Sequence, residues 1–312
     1  MISVVIPNFN GAKLLAKNLP KLVGLLEKSK LEYELILADD ASSDDSIKQL
    51  EKFTVHGSRF TVIRNEKNRG FASTIDAGIR AAKGEVVFTI KTDSVPESAD
   101  YFMVMLDHLK NPSVFSVSAA LKTRENGKEE IRGSGEIYFE KGYFLNRRGS
   151  NLAKTSAWSD GSASAFRRDL YLKIGGFDKL YNPFYWEDVD LGYRAWKAGY
   201  QIDFEPNAVL LHDFESGAIA KHYSRQQIKI ISLRNQLIFV WKNADVKHLL
   251  LYSLWKTYHF VVAIKNGDED FFQAYFQAIL KWPGILAARF RQRKVTKLSD
   301  YQALRVFQEK NR

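Results

Sequence analysis

The chain of 312 residues contains no cysteine. Disulfides and thiolate metal sites are therefore excluded, and the composition suits a reducing compartment, for which the cytoplasm is the default. The longest apolar stretch, residues 248–264, is interrupted by Lys256 and His259 and falls short of the roughly 18 to 20 apolar residues that cross a bilayer. The N-terminus lacks the basic and apolar regions of a signal peptide. We therefore expect neither a transmembrane helix nor a cleaved leader.

Acidic residues are outnumbered, with 36 Asp and Glu against 46 Lys and Arg, which gives a net charge of +10. This charge suits nucleic acid, anionic lipid or a phosphate-rich ligand, and a merely solvated basic surface explains it equally well. The sequence has no zinc-ligand spacing, and its aromatic residues lie in apolar periodic runs, so we expect no nucleic-acid partner. The length suits one large α/β domain, or one domain with a helical appendage.

The first hundred residues alternate strand-like and helix-like patterns. The predicted strands are residues 3–7, 34–38, 60–64 and 86–90. The predicted helices are residues 12–29, a second helix with its N-cap among residues 42–44 that continues through Phe53, and residues 72–82. Such alternation predicts a parallel sheet that binds ligands beyond the carboxyl ends of its strands. Polar residues follow all four strands, at positions 7–11, 39–44, 65–70 and 91–93. These exits predict one shared crevice.

The remainder of the chain changes character twice. Residues 114–143 predict antiparallel strands around a turn at Asn126-Gly127. Beyond Lys221 the patterns are helical and rich in aromatic and basic residues, at 224–241, 246–264 and 270–293. We therefore predict a catalytic domain over residues 1–220 and a helical C-terminal extension over residues 221–312.

Five segments carry a resemblance to a known family. In order they are SVVIPNFNG, ILADDASSDDS, NRGFASTIDAGIRAAKGEVVF, GSASAFRRDLYLKIGGFD and YWEDVDLGYRAWKAGY. Together they resemble the family 2 glycosyltransferases over roughly residues 2–243, and especially the bacterial branch that contains rhamnosyltransferases and other polysaccharide-assembly enzymes. The resemblance implies an α/β GT-A fold, a Rossmann-like, mixed and mainly parallel sheet flanked by helices, and inverting transfer from a nucleotide-sugar donor.

The donor site implied by the resemblance begins with Asp39 and Asp40, the first of which lies at the family's base-binding position. Pro7, Asn8 and Asn10 would line the same nucleotide pocket. Turn and capping chemistry explains the two aspartates equally well from the sequence alone. The further candidates for substrate binding are Asn68, Gly70, Lys91, Thr92, Ser162 and Arg234.

Lys91-Thr92-Asp93 occupies the place of the family's Asp-x-Asp or Asn-x-Asp motif. The resemblance implies that Asp93 binds Mg²⁺ or Mn²⁺ bridging the donor phosphates, with His212 as a second candidate ligand. Lys91 departs from the motif and puts the metal dependence in doubt. Its ammonium either supplements or partly replaces the cation, or is an exposed lysine at a strand end.

The catalytic base implied by the resemblance is Asp188, with Glu187 as the alternate, because inverting transfer requires removal of a proton from the acceptor hydroxyl. The competing interpretation is that these carboxylates only cap a helix in its first turn. Asp190, two residues further, is expected to be structural.

These inferences predict an enzyme that moves a sugar from a dTDP- or UDP-sugar to a hydroxyl of a glycan or lipid-linked acceptor. The alternative is a catalytically degenerate module that only binds nucleotide sugars. The aromatic and basic residues after position 243 predict either docking on anionic membrane at the cytoplasmic face, or a helical lid or oligomer contact. The oligomeric state is left open.

Overall fold

The computed structural model describes residues 1–54, 60–125, 128–212 and 222–310. Its strands are β1 Ile2–Asn8, β2 Tyr33–Asp39, β3 Phe60–Arg64, β4 Val86–Ile90, β5 Ser94–Pro96, β6 Val114–Glu125, β7 Lys128–Arg132, β8 Gly135–Glu140, β9 Tyr143–Arg148, β10 Ala163–Arg167 and β11 Gln201–His212. Its helices are α1 Ala12–Ser29, α2 Ser46–Thr54, α3 Phe71–Ala81, α4 Asp100–His108, α5 Arg168–Lys173, α6 Glu187–Lys197, α7 Arg225–Asn243, α8 Val246–Asn266, α9 Glu269–Leu280, α10 Trp282–Arg293 and α11 Asp300–Lys310.

Most of the strands in these ranges form one mixed sheet in the order β3-β2-β1-β4-β10-β6-β11-β5, with β7 added beside β6. The pairs β1–β2, β1–β4, β2–β3 and β6–β11 are parallel, whereas β10 runs antiparallel to both β4 and β6. Strands β8 and β9 form a separate hairpin. The mixed α/β architecture predicted for the first half of the chain is confirmed.

Alternating side chains of the sheet separate two hydrophobic cores. In β1, Val4 and Ile6 pack with Leu15 and Leu19 of α1 on one face of the sheet. Val5, between them, packs on the other face against α3, and the C-terminal helices add to that second core. Both faces are covered because successive strand side chains point in opposite directions.

The sheet brings the functional strand ends to one edge. Asn8 at the end of β1 pairs with Asp39 at the end of β2, and Ile90 at the end of β4 pairs with Ala163 at the beginning of the antiparallel β10. Strand β11 runs parallel to β6 and ends at His212 on the same edge. The strand ends predicted to form one crevice therefore lie along the same edge of the sheet.

Two predictions about the second half are corrected by the structure. The predicted helix over residues 270–293 is two helices, broken at Lys281, because Pro283 lies in the first turn of α10 and cannot donate the backbone hydrogen bond of a continuous helix. The small-residue run from Gly161, expected only to precede a helix, contributes the central strand β10, whose alanines are fully buried.

Other predictions fall partly outside the described residues. Asn126 and Gly127 of the predicted turn lie outside them, although the flanking strands pair antiparallel from Glu125 and Lys128. The predicted domain boundary near residue 220 also lies outside them. The final helix α11 was not predicted. In the part of the chain described here, no helix combines the length and apolar character needed to span a membrane.

Candidate active site

The predicted nucleotide pocket is centred on a buried carboxylate. Asp39 accepts hydrogen bonds from Asn8 Nδ2 at 2.8 Å and from the backbone N–H and hydroxyl of Ser42 at 3.0 and 2.5 Å. Arg64 adds an ion pair at 3.5 Å. Asn8 Oδ1 has no hydrogen-bond partner within the described ranges, so a buried acceptor is left beside the saturated carboxylate.

Asn10 and Pro7 shape the same exit from β1. Asn10 lies in the left-handed region with φ of 51°, and its Oδ1 accepts from the backbone N–H of Ser43 at 2.8 Å. Pro7 is buried within β1 and is paired with Ala38. Both residues therefore fix the backbone around Asn8 and Asp39.

Asp40 organises the loop that precedes α3. Its carboxylate accepts from the backbone N–H groups of Arg69 and Gly70 at 2.8 and 2.9 Å and from Asn65 Nδ2 at 2.8 Å. Asn68 Oδ1 also accepts from Gly70 N–H, at 3.2 Å. Gly70 has φ of 85°, which favours glycine, and a Cβ there would lie 3.0 Å from the Pro183 backbone.

Lys91 is half-buried among carboxylates. Its Nζ lies 4.8 Å from the centroid of the Phe71 ring, a cation–π distance. Burial by itself lowers the pKa of Lys91, but Asp160, Asp93, Glu187 and Asp188 outweigh it and raise the pKa, so the ammonium stays charged. The exposed-lysine interpretation is therefore not supported by the geometry.

Thr92 joins the Lys91 segment to the exit of β1. Its backbone carbonyl accepts from Asn18 Nδ2 at 2.8 Å, and its side chain lies 3.4 Å from where a Cβ on Gly11 would stand. The loop after β1 and the loop after β4 are thus in contact.

Asp93 and His212 face each other across the pairing of β5 with β11. His212 Nε2 lies 3.6 Å from Asp93 Oδ2, and Asp93 Oδ1 accepts from Ser94 Oγ at 3.0 Å. Burial lowers the pKa of His212, and Lys91 and Arg132 lower it further against the opposing charges of Asp93 and Asp160. The imidazole is therefore neutral near pH 7, the form that ligates a cation.

Asp160 was missed by the sequence reasoning. It accepts from the backbone N–H of Ser162 at 2.8 Å and from the Ser162 hydroxyl. Burial raises the pKa of Asp160, but Lys91 and these hydrogen bonds lower it overall, which keeps the carboxylate ionised. The Asp-x-Ser turn before a strand was the available signal, since Asp in this position bonds the backbone two residues on. Ser162 thus orients Asp160.

Glu187 and Asp188 lie in the first turn of α6, and their pKa values are shifted in the opposite direction to that of Asp160. Glu187 Oε2 is buried without a hydrogen-bond partner in the described part of the chain, and Asp188 Oδ1 accepts only a local bond from Val189 N–H at 2.8 Å. Burial raises the pKa of Glu187 and Asp188, and the neighbouring charge of Asp160 raises both further. A raised carboxyl pKa is what general-base catalysis near neutral pH requires.

The loop before α6 is held in a strained shape. Tyr185 and Trp186 have φ of 70° and 74°, in the left-handed region that bulky residues rarely adopt. Asn235 Nδ2 binds the backbone carbonyls of Phe184 and Tyr185, each at 2.9 Å. Arg234 Nη2 donates to the Asn182 carbonyl at 2.7 Å, so Arg234 supports this loop, and its predicted contact with substrate stays a prediction.

Asp190 is bound on all sides. It accepts from Arg194 Nε, Lys242 Nζ, Asn243 Nδ2 and Tyr181 OH, each at 2.8 Å, and it is fully buried. These contacts fit the structural role expected for it and anchor α6 behind Asp188.

A cavity of about 370 Å³ opens in front of Asp188. Three aromatic residues line it, Trp158, Tyr185 and Trp186, and Asp160 lies at its wall. The absence of a side chain on Gly135 makes room for Trp158, because a Cβ there would lie 2.5 Å from the indole ring. Aromatic faces beside carboxylates suit a sugar ring with its hydroxyls.

Another acidic group lies elsewhere in the fold. Asp245, His248 and Asp300 bring their ligand atoms within 4.8 Å of one another. Lys197 Nζ donates to Asp300 at 2.6 Å, and Lys197 is nine residues along α6 from Asp188, roughly 13 Å. With Lys197 in contact, this group links α6, α8 and α11 by hydrogen bonds.

The predicted residues thus form two neighbouring groups. Asn8, Asn10, Asp39 and Asp40 organise the exits of β1 and β2, and the second group combines Lys91, Asp93, His212, Glu187 and Asp188. Phe71 connects them, because it follows Gly70 and lies beneath Lys91.

The family model for Glycosyl transferase family 2 matches residues 3–175. The chain belongs to this family. A curated relative is the poly-beta-1,6-N-acetyl-D-glucosamine synthase of Staphylococcus epidermidis, 24% identical over 209 residues that cover 67% of this chain and 48% of the synthase. The chain therefore spans about half the length of that relative.

Solved structures support the fold. GalNAc-T7 with UDP, GalNAc and Mn²⁺ superposes with a TM-score of 0.63 at 17% identity, over 79% of this chain and 48% of that one. S. aureus TarS 1–349 in complex with UDP-GlcNAc superposes with a TM-score of 0.57 at 16% identity, over 99% of this chain and 90% of that one. The predicted GT-A fold with C-terminal helices is confirmed.

Proposed function

We propose that the protein is an inverting glycosyltransferase that transfers a sugar from a nucleoside-diphosphate donor to an acceptor hydroxyl. The observation that carries this proposal is the convergence of Lys91, Asp93 and His212 with the high-pKa pair Glu187-Asp188 beside an aromatic cavity. We infer that the ammonium and the cation-ligating groups would meet the donor diphosphate, and that the base candidates would meet the acceptor hydroxyl.

The donor nucleotide is proposed to bind at Asn8 and Asp39. Asn8 Oδ1 is a buried acceptor without a hydrogen-bond donor within the described residues. A pyrimidine N–H or a ribose hydroxyl of the nucleotide would donate to it. The UDP in the GalNAc-T7 structure and the UDP-GlcNAc in the TarS structure support a UDP- or dTDP-sugar. Gly70 and Asn68 would approach the ribose or diphosphate through their loop.

A divalent cation, Mg²⁺ or Mn²⁺, fits the donor set of Asp93 and His212. A carboxylate suits either ion, and the neutral imidazole at the end of β11 adds a second ligand beside Asp93, which immediately precedes β5. When bound, such a cation neutralises negative charge on the leaving diphosphate. Lys91 would supply a second positive charge to the same phosphates, since its pKa is raised by the surrounding carboxylates.

Asp188 is proposed as the general base. It removes the proton from the acceptor hydroxyl, whose oxygen forms a bond to the anomeric carbon as the bond to the diphosphate breaks. The electron pair of that bond leaves with the phosphate oxygen, and the anomeric configuration inverts. Asp188 lines the cavity that would hold the acceptor, whereas Glu187, the alternate candidate for the base, is more deeply buried.

The acceptor is proposed to be a glycan or lipid-linked sugar that stacks on Trp158, Tyr185 or Trp186. The polysaccharide synthase named above supports a place in polysaccharide assembly. We propose in addition that the enzyme belongs to the rhamnosyltransferase-like branch and acts on the cytoplasmic side. We further propose that residues 1–220 form the catalytic domain and residues 221–312 its helical extension, which braces the loop before α6 through Asn235.

A thermal-shift screen tests the donor proposal. UDP, dTDP, GDP and ADP would each be added with Mg²⁺, with Mn²⁺ or with EDTA. We expect a pyrimidine nucleotide with a cation to raise Tm, because selective binding stabilises the folded state. Asn8→Ala should abolish the shift, and Asn111→Ala, at an exposed asparagine outside the site, should leave it unchanged. A shift with purines alone would contradict the pyrimidine assignment.

Product analysis then separates enzyme from binding module. With the selected nucleotide sugar and a glycan acceptor, release of nucleoside diphosphate supports the transferase, whereas release of pyrophosphate contradicts it. Donor binding without turnover on lipid-linked, oligosaccharide and monosaccharide acceptors favours the degenerate binding module.

A further inference from the structure

Exposed apolar side chains are concentrated in three consecutive helices. Of the 21 large hydrophobic residues that are exposed in the described ranges, 14 lie between residues 246 and 290. Isolated surface hydrophobics are ordinary, but two thirds of them within about a seventh of the chain are not. Helices α8, α9 and α10 therefore carry a surface that differs from the rest of the protein.

Each helix has an inner and an outer apolar side. In α8, Leu250, Leu254 and Tyr258 follow one another at intervals of four residues and are 62%, 74% and 50% exposed. In α9, Phe276 and Leu280 repeat this spacing at 62% and 65% exposure. Four-residue spacing places side chains on one helix face, so each stripe points away from the protein.

The inner sides account for the packing of these helices. Tyr252 and Ala263 of α8 are buried, as are Ala274 and Ala278 of α9. Trp241 of α7 meets the rings of Tyr252, Tyr275 and Trp282 at 6.3, 5.5 and 5.4 Å. The outer stripes are consequently not needed to attach the helices to the fold. We name the outward-facing apolar side chains of α8, α9 and α10, together with the exposed basic residues at the end of α10, the outer helical face.

Positive charge accompanies this face. Residues 246–297 contain nine Lys and Arg and three Asp and Glu, so 9 − 3 gives +6 of the chain's net charge of +10. Two of the three acids, Asp268 and Asp270, form ion pairs with Lys229 of α7 at 3.1 and 3.0 Å. Arg291, Arg293 and Lys294 at the end of α10 are exposed.

The combination identifies the partner chemistry. Leu, Phe and Trp on an outer face beside Lys and Arg are the composition of helices that lie in the plane of a bilayer surface. A symmetric contact with a second copy would bring together two faces that each carry the exposed Arg291, Arg293 and Lys294, and this like charge opposes association. We propose that the outer helical face docks the protein on an anionic phospholipid membrane. The proposal does not depend on the donor or the reaction.

Vesicle cosedimentation of the full chain tests this surface. The probes are vesicles of phosphatidylcholine alone and vesicles with about one third phosphatidylglycerol, at low and high salt. We expect binding to the anionic vesicles that weakens with salt and is about tenfold or more stronger than to the neutral vesicles. An absence of binding to anionic vesicles at low salt would overturn the proposal.

Two matched variants locate the contact. Leu254→Glu with Phe276→Glu places charge on the outer helical face, and Val62→Glu with Met103→Glu makes the same change at two apolar side chains exposed elsewhere. We expect the first pair to weaken partitioning by about tenfold or more and the second by less than about threefold, because only the first removes inserted apolar area. All substituted positions are exposed, and thermal melts verify folding.

Equal weakening by both pairs would show a general charge effect and overturn the assignment. Light scattering completes the test. A stable dimer that Leu254→Glu with Phe276→Glu dissociates, without vesicle binding by the original chain, would assign the face to a second copy instead.

Discussion

Two adjacent acidic pairs, Asp39-Asp40 and Glu187-Asp188, lie near the same edge of the sheet in opposite states. Asp39 and Asp40 accept bonds from side chains and backbone N–H groups that surround them. Glu187 keeps one oxygen buried without a partner in the described structure, and the pKa of both members of its pair is raised by burial. The first pair is already hydrogen-bonded and orders the loops that are proposed to receive the donor, whereas the second pair keeps a carboxylate oxygen free of hydrogen bonds within the described residues.

Asp188→Asn should give the largest effect on turnover. Loss of the base should lower kcat by about a hundredfold to ten-thousandfold, the usual contribution of general-base catalysis. The measurement is release of nucleoside diphosphate. The thermal shift produced by the donor should be unchanged, since Asp188 faces the acceptor cavity. Turnover within about threefold of the original chain would remove Asp188 from the mechanism.

Asp190→Asn should affect stability instead. Arg194 and Lys242 would be left buried without their shared carboxylate, which costs about 3–5 kcal/mol in the free energy of unfolding. Urea denaturation measures this loss, and Asp45→Asn at an exposed site provides the control. A decrease below about 1 kcal/mol would show that Asp178, whose carboxylate forms an ion pair with Lys242 at 2.8 Å, compensates for the lost charge.

Lys91→Ala should lower kcat/KM by roughly a hundredfold, as for removal of one preorganised positive donor at a reacting centre. If Lys91 and the cation share the diphosphate charge, the variant should also need more Mn²⁺ for half-maximal rate. Lys67→Ala, at an exposed lysine in the loop before α3, should change neither quantity. An unaltered rate and metal demand in Lys91→Ala would eliminate the proposed role.

Glu187→Gln should produce the smallest effect. It should raise the free energy of unfolding, whereas Asp190→Asn lowers it. Because the pKa of Glu187 is raised in the folded state, stability is lost as pH rises from the usual glutamate range through the raised value. Glutamine cannot ionise, so the variant should gain on the order of 1 kcal/mol relative to the original chain at pH 8 and little at pH 5. Thermal melts at both pH values measure the difference, and a gap independent of pH would contradict the explanation.

Much of the site could be predicted because strand ends converge. The apolar runs before Asn8, Asp39 and Lys91 predicted parallel strands, and parallel strands place their exits at one edge. Asp160 was missed because it lies in the turn before the antiparallel strand β10, whose small residues were interpreted as a run that precedes a helix. The cavity was not predicted either, because two of its lining residues, Trp158 and Tyr185, come from separate loops.

The local patterns by themselves determined the alternation of strands and helices, the position of α1 and the edge of the sheet at which polar residues follow the strands. They did so because side-chain period and turn chemistry are properties of short segments. Only the tertiary structure decided which carboxylates are saturated and which are left with raised pKa values. Burial and charge neighbours depend on residues distant in the chain, such as Lys91 with Asp160 and Glu187, and no local pattern contains them.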